Sequence, residues 1–220
     1  MSFALAPAVA DAAESAPGGW LVGAVRGDFP GQGSERWLYQ VDVNARYLDV
    51  GDGVEGYGAR GGIGYAVNDS TRVWAGYARF FARERGGSSL HENRLWQELQ
   101  WRDADFLAGR LVLRLRAEQR DISDTGDVRH RGRMLARYQR PLASPAFDTW
   151  FMGGEMLLGI NDSATNDNLN LSQHRLFAGV STALRQGLRL ETVLMRQYFW
   201  VDQGEDRVNY VGVVRFAWAF

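Results

Sequence analysis

From Arg207 to Phe220 the chain alternates with a period of two. Tyr210, Gly212, Val214, Phe216, Trp218 and Phe220 fall on one face of an extended strand, and Asn209, Val211, Val213, Arg215, Ala217 and Ala219 fall on the other. Successive side chains of a strand point to opposite sides, so one face of this segment is apolar and aromatic along its whole length. Such a face, running to a Phe as its last residue, predicts the closing strand of a transmembrane β-barrel.

The same rhythm recurs upstream. Trp37, Tyr39, Val41, Val43, Ala45 and Tyr47 oppose Leu38, Gln40, Asp42, Asn44 and Arg46; Leu111, Leu113, Leu115 and Ala117 oppose Arg110, Arg114, Arg116, Glu118 and Arg120. Val128, Gly132, Met134, Ala136 and Tyr138 oppose Arg129, Arg131, Arg133 and Arg137. Further segments lie near 55–67, 71–84, 92–102, 148–159, 171–184 and 187–201, with a weaker one at 19–27. Turn-forming stretches separate them, among them Gly51-Asp52-Gly53, Asn68-Asp69-Ser70, Arg185-Gln186-Gly187 and the polar run Asn161–Asn170.

Alternation alone also fits a soluble sandwich. The segments are longer than the ~5–6 residues of an average strand. Aromatic residues cluster at their ends: Trp37 and Tyr47 are ten residues apart, as are Tyr210 and Phe220. At ~3.3 Å per residue and a tilt of ~40°, that separation climbs about 25 Å, the height of an apolar band between two aromatic girdles. Trp37, Tyr47, Tyr210, Trp218 and Phe220 are the expected girdle. The fold expected is all-β, a single closed antiparallel barrel of about 10–12 strands. Eleven segments are visible, whereas bacterial single-chain barrels have even numbers. The 19–27 segment is therefore expected either outside a ten-stranded barrel or beside an unseen partner that makes twelve.

Composition removes several classes. A net charge of −1 offers no electrostatic reason for a nucleic-acid partner, and the absence of Cys excludes disulfides and thiolate metal sites. No apolar run of about 18 residues is present to make a spanning helix, an absence that barrel strands do not need to remedy. Residues 1–17 are expected to be a signal-peptide remnant, with Ala8-Val9-Ala10 as its cleavage site, or a disordered leader, and 18–220 the barrel.

All 25 basic residues are Arg. By parity Arg46, Arg79, Arg94, Glu98, Arg110, Arg114, Arg116, Glu118, Arg120, Arg129, Arg131, Arg133, Arg137, Glu155, Arg175, Glu191 and Arg215 point into the lumen, because each Arg facing lipid at mid-depth would cost about 2–4 kcal/mol. Trp96 and Phe151 share that inward parity and are placed to pack on guanidinium groups. Arg196 falls on the outward parity, predicting a side chain that snorkels to the interface or a β-bulge that shifts register. His130 and His174 also face outward, and His91 lies near Ser88 and Ser89. No nucleophile–base–orienter set, phosphate loop or metal-ligand cluster is visible, so neither catalysis nor a cofactor is expected. Glu98 and Glu155 are candidates for a carboxylate pair, but Arg neighbours favour salt bridges.

His91-Glu92-Asn93-Arg94-Leu95-Trp96-Gln97-Glu98-Leu99, Arg114-Leu115-Arg116-Ala117-Glu118-Gln119-Arg120, Arg131-Gly132-Arg133, Gly154-Glu155 and Gln173-His174-Arg175-Leu176-Phe177-Ala178-Gly179 occur in an order and spacing that resembles the bacterial family catalogued as domain of unknown function 2490. The resemblance spans roughly Trp20 to Phe220, and His174 stands where the pattern has Asn. It implies a β-barrel in the outer membrane of Gram-negative bacteria, in contact with membrane lipid. Insertion by the barrel-assembly machinery is implied too, with the C-terminal strand as its recognition signal. Two roles are compatible with the charged lumen: a structural ion-pair core, or a porin-like, narrow, anion-preferring channel for small anionic solutes. An outer-membrane enzyme acting on lipid and a soluble all-β binding module are the alternatives from other classes.

Overall fold

A computed structural model describes residues 14–31, 36–48, 54–83, 89–123, 128–160, 170–200 and 205–220. The expected cleavage site at Ala8-Val9-Ala10 and the turns at 51–53 and 161–169 lie outside them. Eleven strands follow one another: β1 (Glu14–Asp28), β2 (Trp37–Leu48), β3 (Val54–Ala66), β4 (Thr71–Arg83), β5 (Ser89–Phe106), β6 (Gly109–Ile122), β7 (Val128–Pro141), β8 (Thr149–Gly159), β9 (Asn170–Arg185), β10 (Leu188–Phe199) and β11 (Arg207–Ala219). They form one closed barrel in chain order. The all-β closed barrel read from alternation is the observed fold.

Eleven strands fall within the expected 10–12, but the reading of the 19–27 segment needs correcting. The 19–27 segment lies neither outside the barrel nor beside a hidden twelfth strand. It is the middle of β1, which pairs antiparallel with β2 and parallel with β11, from Glu14 opposite Arg207 to Arg26 opposite Ala219. A parallel ladder satisfies the backbone groups of both edge strands as fully as an antiparallel one, so an odd number closes the sheet. β1 begins four residues ahead of the expected barrel start at 18 and takes in Glu14–Pro17.

Three short connections lie at the rim where β11 ends, here the C-terminal rim. Asn68 caps the β3–β4 turn, its side-chain oxygen accepting from the Ser70 and Thr71 amides at 3.0 and 2.8 Å. β5 and β6 meet through Leu107 and Ala108 alone, both at positive φ (48° and 58°). The β9–β10 turn uses Gly187 at φ 76°, followed by a register shift at Leu188/Arg189.

The two faces differ as the parity predicts. Leu95, Leu113, Leu115, Met134, Met152, Leu176, Leu194 and Val214 look outward and are exposed, Leu194 by 75%. The buried set inside mixes Trp74, Trp96, Phe151 and Leu157 with Arg94, Glu98, Arg116, Glu118, Glu155 and Glu191. Aromatic pairs ring both ends of the outer face, such as Trp37 with Tyr65 (5.1 Å) and Trp218 with Phe220 (5.7 Å) at the C-terminal rim, and Tyr57 with Phe81 (4.9 Å) at the other.

The lumen under β3 and β4 is filled by aromatic rings lying flat on glycine. A Cβ on Gly62 would stand 2.4 Å from the Trp96 ring, and one on Gly76 would stand 2.2 Å from the Gly61 carbonyl oxygen and 2.4 Å from the same ring. Close approach of ring to backbone is why these strand positions carry no side chain.

Candidate functional site

β5, β6, β7 and β8 bring one inward carboxylate or guanidinium after another to the same level of the lumen. The pairing register sets Glu98 opposite Arg116 and Arg116 opposite Arg133; one row away, Trp96 stands opposite Glu118 and Glu118 opposite Arg131. Three Glu and three Arg close a ring. Glu98 accepts from Arg116 Nε at 2.8 Å and from its Nη2; Arg116 Nη1 is 3.9 Å from Glu118. Glu118 accepts from Arg133 Nη1 at 2.9 Å; Arg133 donates to Glu155 through Nε (3.0 Å) and Nη2 (2.7 Å). Arg114 returns from Glu155 (2.5 Å) to Glu98 (3.7 Å).

Further guanidiniums attach to the ring. Arg131 donates to Glu118 at 2.5 and 2.9 Å, and Arg175 lies 3.2 Å from Glu155. Arg94 spans Glu118 (3.6 Å) and Glu92 (2.8 Å), where Arg120 also binds at 2.5 Å. Arg137 and Arg215 hold Glu191 in a separate cluster, at 2.8 and 2.9 Å. Thus ten of the twelve predicted network residues form one cluster, completed by Glu92, and Arg137 and Glu191 form another. Glu98 and Glu155 are not a proton-sharing pair, because Arg114 sits between them.

The centre of the ring is shut off from solvent. The Glu118 side chain has 0% of its surface accessible, and Glu98 and Arg116 each have 2%, so no water-sized space adjoins Glu118. Trp96 closes one side, with the Arg116 guanidinium 4.6 Å from its ring centroid, and Phe151 stacks under Arg137 at 3.9 Å. Burying so many charges is costly unless they are paired; each guanidinium of the cluster reaches a carboxylate, while Arg114 Nε, Arg116 Nη1 and Arg175 Nε have no hydrogen-bond partner among the described residues.

The charges do not balance. Seven guanidiniums face four carboxylates in the main cluster. Arg26 and Arg102 are held by the Gln40 and Gln100 carbonyls (both nearest contacts 2.7–2.8 Å). Arg46 lies 3.1 Å from Asn44 Oδ1 and against the Trp20 ring at 4.5 Å.

One Arg expected in the lumen lies outside it. Arg79 is exposed on the outer face of β4, over the Phe81 ring at 5.2 Å, because the inward positions of that strand belong to Trp74, Gly76, Ala78 and Phe80. Arg110 keeps the inward parity but sits exposed at the C-terminal rim, outside the network. Arg196 does point outward, and the unbroken register of β10 with both neighbours around it rules out a bulge there. His91 packs edge-on against Phe81 at 5.0 Å. Sequence reasoning overlooked Glu92 and the Arg60–Asp42 pair (2.7 Å), although Glu92 shares the parity of Arg94 and Glu98.

A closed eleven-stranded barrel around a charged, filled core defines the structural class. The family model for protein of unknown function (DUF2490) matches residues 18–209, and the chain belongs to that family. An uncharacterized protein of Methylorubrum extorquens is 28% identical over 122 residues, which cover 55% of this chain and 54% of that one. The chain thus spans about half the length of this curated relative. No solved structure matches the chain.

Proposed function

We propose that the chain is a transmembrane β-barrel of the Gram-negative outer membrane, sealed at mid-lumen, and that it serves as a structural membrane element and not as an open pore. One observation carries this reading: the exposed outer surface is apolar while the enclosed face holds ionised side chains, buried among aromatic rings and paired in a ring. A soluble protein inverts that distribution. In water, exposed patches above a few hundred Å² are rare outside binding sites; here the apolar surface continues around the barrel between two aromatic girdles. Contact with membrane lipid and delivery by the barrel-assembly machinery follow from the same reading.

The experiment is refolding into detergent followed by planar-bilayer recording. A detergent requirement, heat-modifiable gel mobility and no open-channel conductance are expected. Solubility without detergent would overturn the membrane reading. Steady anion-selective current would overturn the seal and favour the second reading, a narrow path for small anionic solutes. That reading has the Arg excess of the main cluster in its favour.

A further inference from the structure

The outer face of β8–β11 carries a feature that a bare lipid-facing wall does not need. In the paired register Met152, Ala178, Leu194 and Gly212 stand in one row, and Leu176, Arg196 and Tyr210 in the next row toward the opposite rim. The small residues on either side of Leu194 leave a groove of about 720 Å³ between Met152, Leu176, Leu194 and Tyr210. A Cβ on Gly212 would meet nothing within 4 Å. Arg196 closes the upper end of this groove.

Arg196 differs from the guanidiniums of the lumen ring. Among the described residues no carboxylate lies within ion-pair distance of it. Its Nη1 donates to His174 Nε2 at 3.2 Å, and its guanidinium lies 5.2 Å from the Tyr198 ring centroid. His174 stacks on Tyr198 at 5.2 Å, and Trp200 meets both rings at an angle, at 5.0 and 5.1 Å. Arg196 is three residues short of the end of β10, which places it about 8 Å below the rim, at ~3.3 Å per residue and a tilt of ~40°. Acyl chains meet headgroups near that depth, and the aromatic cluster marks the same level.

We propose that this groove is a site for one anionic phospholipid, its acyl chain lying over Ala178 and Gly212 and its phosphate on Arg196. The proposal rests on the membrane reading above. The planar guanidinium fork matches a phosphate, and the unpaired positive charge selects a net-negative headgroup over a zwitterionic one. Free phosphate would use Arg196 but leave the apolar groove unused. The groove volume lies within the ~300–1,000 Å³ of ligand sites.

The test uses the full chain refolded in detergent, with native mass spectrometry as readout. Phosphatidylglycerol and phosphatidylcholine with identical acyl chains are the probes. Wild type is expected to retain phosphatidylglycerol about tenfold more than phosphatidylcholine, the worth of one charge-assisted contact. Arg196→Gln should abolish the preference, and Arg196→Lys should keep part of it. Ala178→Phe should lower retention of both lipids by filling the groove. Unchanged heat-modifiable mobility in each variant shows that the barrel is intact. The proposal is overturned if Arg196→Gln keeps the preference, if Ala178→Phe has no effect, or if soluble glycerol phosphate competes as well as the intact lipid. Vesicle flotation separates the two levels of failure. If wild type does not float, the membrane reading itself has failed; if it floats without lipid preference, only the site has.

Discussion

Glu118 shows what enclosure does to a single ionised group. Its carboxylate has no accessible surface and faces Arg131, Arg133 and Arg94. Glu118→Gln keeps the volume but strands three guanidiniums without their shared counter-charge. Removing one partner of a buried ionic network costs about 3–5 kcal/mol, and denaturant unfolding in detergent should register a loss of that size. Arg189→Ala is the control. The Arg189–Asp148 pair is 41% exposed on both sides and should yield under ~1 kcal/mol. Equal losses would mean that the ring is not the core of the barrel. Parity was sufficient to find Glu118 and its partners, because in β5 and β6 the ionised side chains of the ring share the face opposite the exposed leucines. The inward assignment failed at Arg79, where the alternation itself holds: Trp74, Ala78 and Phe80 take the inner face of β4, and the odd position of Arg79 leaves it outside. The closure of the ring through Arg114 and Arg133 was not legible, since it depends on register between strands and not on order within one.

The β5–β6 hairpin turns on two residues poorly suited to it. A two-residue turn with positive φ at both positions favours Asn-Gly, whereas Leu107 and Ala108 occupy it at 48° and 58°. Left-handed backbone costs a residue with a side chain about 1–2 kcal/mol. Leu107→Asn with Ala108→Gly is therefore expected to raise stability by about 1–2 kcal/mol in the same unfolding assay, with lumen pairing untouched. The β7–β8 connection depends on pH instead. Asp148 accepts from the Thr149 hydroxyl (2.9 Å), the Ala183 amide (2.8 Å) and Arg189. Burial pushes its carboxyl upward, but these donors and the Arg189 charge together outweigh burial and hold it below the usual carboxylate value. A pKa lower in the folded than in the unfolded state stabilises above the unfolded value and loses that contribution as pH falls through the folded one. Hydrogen exchange at the Ala183 amide should accordingly quicken below pH ~4 relative to its intrinsic rate. In Asp148→Asn protection should be weaker at neutral pH and show no such step.

At the scale of the whole barrel, the eleven alternating segments were visible in the chain, but their closure was not. Alternation reports which face a residue occupies and says nothing about strand direction at the seam. The even-number expectation assumes that both ends of the sheet lie at one rim, as antiparallel closure demands. Here β1 and β11 run in the same direction, so Glu14 stands at the rim where β11 begins and Ala219 at the opposite one. That arrangement makes a prediction that no even-stranded barrel shares. Single cysteines at Ser70 and Gln186 mark the C-terminal rim, and cysteines at Ser123 and Glu205 mark the other. In protein inserted unidirectionally into vesicles, a membrane-impermeant maleimide should label one pair and spare the other. A cysteine introduced immediately ahead of Glu14 should follow Ser123 and Glu205, while one at Phe220 should follow Ser70 and Gln186. If both terminal cysteines label with the same pair, the parallel seam is wrong. The barrel must then close through an even number of strands, and the lumen register that builds the Glu98–Glu118–Glu155 ring would have to be redrawn around it.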